Sequence, residues 1–152
     1  MKTDNPFLLV GGLCSLAVAA LHIAIVIGGG EWYRFFGAGE ALARMAEEGD
    51  VYPAILTLCI AAVFSIWALY AFSGAGLMRR LPWLKAVLAV IAAVYLLRGL
   101  GGIPLLLMSE RPYALEQQDS MVFMATSSLI SFSFGVMYAL GLWRHRMRAS
   151  TA

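Results

Sequence analysis

Charge, and the side chains that bind metals or attack substrates, are what this chain has least of. Charged residues are 13% of its 152 positions, against roughly a quarter in a soluble domain. There are two cysteines and two histidines. No CxxC pair, His/Cys cluster, nucleotide loop or nucleophile motif occurs, so no metal site is expected and no cofactor is specified. His22 is the only histidine inside an apolar run. Haem would therefore need its second axial ligand from a methionine or from another chain.

Apolar residues fill the space that charge leaves, at 61% of the chain. They fall into four runs, each at or above the roughly 20 residues that cross a hydrocarbon core of about 30 Å. The expected architecture is an all-α integral membrane protein: four transmembrane helices over about residues 7–28, 53–78, 84–107 and 121–143. A single membrane domain accounts for the whole length, with a basic tail at 144–152. Lys2 and Ala17-Val18-Ala19 imitate a cleavable signal, but the apolar run continues to Gly28, so the first helix is expected to be retained. Cys14 and Cys59 differ in expected depth by about 9 Å, counting ~1.5 Å per helical residue, which is too far for a disulfide.

Lys and Arg set the orientation. The side shared by the N-terminus, the middle loop and the C-terminus carries seven of them (Lys2, Arg79, Arg80, Lys85, Arg144, Arg146, Arg148), the opposite side only Arg34, Arg44 and Arg111. The positive-inside rule makes both termini cytoplasmic in a plasma (inner) membrane. The tail Arg144-His145-Arg146-Met147-Arg148 reads as an anchor on anionic lipid, and nucleic acid is not an expected partner. Eight acidic residues lie on the external side and only Asp4 on the other. Carboxylates barely influence insertion, so this asymmetry suits solubility of the external loops or attraction of cations.

The external loop between helices one and two is the least ordinary segment. Gly28-Gly29-Gly30 gives a flexible exit from the membrane, followed by the interfacial aromatics Trp32, Tyr33, Phe35 and Phe36 around Arg34. Residues 40–48 form a short amphipathic helix. Glu40, Arg44, Glu47 and Glu48 share one face, Ala41, Leu42 and Met45 the other, and Gly49 caps the end.

Arg98 is the unusual residue of the third span, since a guanidinium cannot shed its proton and needs a partner, water or the headgroups. From the cytoplasmic edge His22 stands at about 24 Å, Arg98 at about 21 Å, Thr57 at about 24 Å, and Thr126 and Ser127 at roughly 21–23 Å. One turn before Arg98 on the same face is Tyr95, and Glu31 and Glu40 stand close above this layer. The expectation is an outward-facing polar cavity. The opposing expectation is an Arg98 that snorkels, or pairs structurally with Glu40 or Glu31. After Arg98, three glycines and Pro104 make the third helix look discontinuous: either it breaks there at a buried or wet site, or the span ends near Gly102 and Ile103 to Met108 lies along the interface. Ser127, Ser131, Gly135 and Ala139 recur every four residues in the fourth, a small-residue seam for close helix approach.

Three functions fit these residues. One is binding or transport of a small polar or anionic molecule or of a lipid headgroup, anchored on Arg98 with His22, Tyr95 and Glu40. Another is a membrane-embedded enzyme acting on a lipid or quinone-like substrate, in which His22 and Glu40 handle protons and Arg98 stabilises negative charge. The third is an accessory or assembly subunit. Membrane lipids are the expected partners, with a homo-oligomer or a larger membrane complex beside them.

Overall fold

The computed structural model describes residues 5–107 and 116–150, with side chains described at 5–101 and 122–145. Lys2, Asp4, Glu110 and Arg111 lie outside the described residues, as do the side chains of Glu116, Asp119, Arg146 and Arg148. Five helices follow in order: α1 (Pro6–Phe35), α2 (Glu40–Glu47), α3 (Tyr52–Gly74), α4 (Leu84–Leu107) and α5 (Glu116–Ser150). Four of them are long and apolar enough to cross a membrane. Their surfaces match that reading. Ile27 is 82% exposed and Leu97 69%, as are many other large apolar side chains in part, a pattern that water disfavours and lipid tolerates.

Local chemistry sets the helix boundaries. Asn5 caps α1, its Oδ1 accepting from Leu8 N at 3.4 Å, and Pro6 occupies the first helical position, where no amide donor is needed. The helical trace passes the end of the apolar run and continues to Phe35, with one non-helical residue, Gly29 (φ 68°, ψ −154°). That region is open essentially to glycine alone, so Gly29 redirects the last helical turn. α1, α2 and α3 all end on one device. A glycine with positive φ (Gly37 70°, Gly49 82°, Gly76 81°) lets its own amide and the next one bond back to the last turn. This is why α3 stops at Gly74 although the apolar run continues to Met78. The break expected after Arg98 is not formed: α4 continues as one helix through Gly99, Gly101 and Pro104 to Leu107.

The chain forms two compact units. One is Ser15–Ile66, holding most of α1, all of α2 and the first part of α3. The other joins the start of α1 to everything from Trp67 onward. In this larger unit α4 packs along α5. A Cβ at Gly135 would lie 2.8 Å from the backbone nitrogen of Leu96, and one at Gly99 2.7 Å from Cα of Phe132. Gly135 of the small-residue seam therefore serves contact within the chain, letting the two backbones approach where dispersion and close packing supply the attraction. Leu8, fully buried, inserts against Gly74 and Gly141. Asn5 Nδ2 donates to Gly141 O at 2.7 Å, tying the start of α1 to α5.

Candidate functional site

The smaller unit carries the most organised polar chemistry among the described residues. α2 folds over the last turns of α1 and packs through Leu42, Ala43 and Ala46 against Ile25, Tyr33 and Phe36. The sequence pattern assigns Ala41, Leu42 and Met45 to the apolar face, yet Ala41 is exposed and Met45 37% exposed. Ala43, fully buried, is the inward residue because its single methyl lets α2 settle close against Tyr33.

Arg34 fastens this cap. Its Nε donates to Glu40 Oε2 at 2.7 Å and its Nη2 to Glu47 Oε2 at 2.9 Å. Arg44 Nε donates to Glu40 Oε1 at 2.8 Å, one helical turn away. A planar guanidinium with five donors can bridge two carboxylates in this way, where an ammonium would not hold the same geometry. The hydrogen bond from Arg34, then that from Arg44, holds the Glu40 carboxyl well below its ordinary 4.5, at about 2. Arg34 lowers Glu47 likewise. Gly30 leaves room for the pair, since a Cβ there would stand 2.7 Å from Glu47 Oε1.

Beneath the ion pairs lies a buried hydrogen bond. Tyr33, 2% exposed, donates from its hydroxyl to Thr57 Oγ1 at 3.1 Å. Beyond them, Trp32, Phe35 and Phe36 stack edge to face and tilted, with centroids 5.0–5.7 Å apart. These rings and the exposed carboxylate of Glu31 line an open cleft of about 410 Å³.

The residues singled out in the sequence have varied surroundings. His22 Nδ1 meets Val18 O at 2.8 Å, and because a carbonyl only accepts, that nitrogen carries a proton. Its ring lies 5.3 Å from Phe64. Thr57 is engaged by Tyr33, Glu40 by Arg34 and Arg44, and Glu31 stands on the cleft. These four belong to the smaller unit. Tyr95, Arg98, Thr126 and Ser127 belong to the larger one. Tyr95 is buried in an aromatic cluster with Trp67, Phe134 and Tyr138 at 5.2–5.8 Å. Thr126 and Ser127 donate to carbonyls of their own helix, Val122 O at 2.8 Å and Met124 O at 3.1 Å. Arg98 is exposed and forms no ion pair among the described residues. Nor do the described residues contain a group of three or more His, Cys, Asp or Glu able to hold a metal ion.

The sequence pattern marks Arg34 and Glu47 but neither their pairing nor their place at the centre of the cap. The signal available was Glu40, Arg44 and Glu47 on one face of a short helix beside an arginine already flanked by aromatics. Compared with known families, curated proteins and solved structures, the chain matches none.

Proposed function

We propose that this is a small polytopic inner-membrane protein that binds a lipid headgroup at its outer face, in the cleft beside the cap. The carrying observation is the pairing of one carboxylate, Glu31, with the rings of Trp32, Phe35 and Phe36 around an open cleft. Aromatic faces attract ammonium groups, and a carboxylate beside them adds charge complementarity. Tryptophan and phenylalanine at this height also suit the boundary between headgroup and acyl chain. An amine- or choline-bearing lipid headgroup has the matching chemistry. The Arg34 ion pairs keep α2 clamped, so the cleft is formed before its ligand arrives. In this reading both termini face the cytoplasm, and α2 lies on the external surface.

Native mass spectrometry of the gently extracted protein tests this. Bound lipid with an amine or choline head, lost in Glu31→Gln combined with Trp32→Leu, is the expected result. Bare wild-type protein, or equal retention by the variant, refutes it.

Arg98 favours a second reading, an anionic ligand held inside the span. A guanidinium exposed on a membrane-crossing helix, with no ion pair among the described residues, is costly unless an anion meets it. Loss of a bound anionic mass in Arg98→Ala would distinguish this reading from the cleft.

A further inference from the structure

The turn between α3 and α4 belongs to the larger unit and is built in advance. Ser73 Oγ donates to Arg79 O at 3.0 Å and accepts from Leu81 N at 3.0 Å, stapling the turn to the last coil of α3. Trp83 then takes φ 57°, the one positive φ among the described non-glycine residues, with its side chain 82% exposed. A left-handed conformation is uncommon for a bulky residue, and such strain gathers at functional positions. Its carbonyl accepts from Val87 N at 3.0 Å, so the first free amides of α4 follow directly behind it.

These residues border a cleft of about 370 Å³ lined by Arg80, Trp83, Lys85 and, from α5, His145, among others. Among the described residues no acidic side chain lines it, and none of its cations forms an ion pair. The Nδ1 of His145 is shut off from solvent and has no hydrogen-bond partner among the described residues. His145 borders the cleft with a ring nitrogen that no described residue satisfies. The arrangement thus combines two basic side chains, an imidazole, a helix N-terminus and an exposed indole. Phosphate oxygens satisfy the first four, and an indole at the boundary with lipid packs on acyl chain.

We infer that the cleft between Arg80, Trp83, Lys85 and His145 is a binding site for the phosphate of an anionic phospholipid on the cytoplasmic side. The site is independent of the aromatic cleft in the smaller unit and selects the opposite charge.

The test uses the full chain in nanodiscs of equal phosphatidylglycerol and phosphatidylcholine, followed by native mass spectrometry of the retained lipid. Wild-type protein should prefer phosphatidylglycerol, and Arg80→Gln with Lys85→Gln should cut the preference about 30-fold, the loss expected for two cations at a membrane surface. Trp83→Gly removes the backbone strain and the indole together, so it should fold at least as stably yet retain less lipid. Arg44→Gln should retain phosphatidylglycerol as the wild type does. No preference in the wild type overturns the inference, and so does an equal loss in Arg44→Gln. Displacement of the lipid by millimolar inorganic phosphate overturns the lipid as ligand and leaves a free-anion site.

Discussion

Tyr33 and Thr57 share a hydrogen bond of 3.1 Å, the tyrosine donating, with both side chains buried. It joins the last turn of α1 to the second turn of α3, beneath the cap. A neutral buried hydrogen bond contributes about 1 kcal/mol, but orphaning one partner costs its full desolvation. Tyr33→Phe and Thr57→Val should each destabilise by roughly 1–2 kcal/mol in thermal unfolding in detergent. The double variant should cost clearly less than the sum, and simple additivity would show that the bond does not couple the two helices.

Acid should loosen the cap. Glu40 has its folded value depressed from 4.5 to about 2 by Arg34 and then Arg44, and Glu47 is lowered by Arg34. A depressed carboxylate stabilises the fold above its unfolded value and stops doing so as pH falls toward the folded one. The cap is therefore fully braced at neutral pH and loses its brace between about pH 5 and pH 2. Amide exchange, corrected for its intrinsic pH dependence, should rise across residues 40–50 in that window and not above it. Arg34→Gln should show the fast exchange already at pH 7.

Gly29 should resist substitution for conformational reasons alone. A Cβ there meets nothing within 4 Å, yet its φ of 68° and ψ of −154° exclude other residues. Gly29→Ala should cost on the order of 1–3 kcal/mol, with exchange rising in residues 30–50 while α4 and α5 stay protected. Tolerance without any change would mean that α1 does not need this bend.

The α4–α5 seam gives the opposite case, where space decides. At Gly135 an added Cβ would stand 2.8 Å from the Leu96 nitrogen, which belongs to backbone and cannot swing aside. Gly135→Val should lose at least roughly 1–3 kcal/mol through overpacking, seen as a lower unfolding temperature in detergent. At Gly101 nothing lies within 4 Å of the built Cβ, so Gly101→Ala should be tolerated.

How much of this was legible in the sequence follows from the range of each interaction. The four long helices were readable because a helix apolar enough to cross a membrane carries an apolar residue at almost every position. The turn at Gly49 was readable because a cap is a local event. The end of α3 was not, since Ser73 and Gly76 stop the helix while the residues beyond them remain apolar. α5 extends on both sides of its apolar run because polar residues flanking such a run still propagate a helix. Arg34 and Glu47 are 13 positions apart and meet only because α1 turns at Gly37. Neither periodicity nor composition carries such a pairing. Arg98 is conspicuous as a charge in an apolar run, whereas the sequence marks Glu31 by its height above the Arg98 layer and not by the rings it shares a cleft with.

The central claim concerns where a headgroup sits, and covalent mapping tests it most directly. Membranes containing the protein would receive a phospholipid carrying a photoreactive diazirine beside its headgroup amine, followed by irradiation and peptide analysis. The account predicts adducts concentrated on residues 31–36 and lost in Glu31→Gln. Adducts spread evenly along the exposed apolar faces of α1, α3, α4 and α5, unchanged by that substitution, would contradict it.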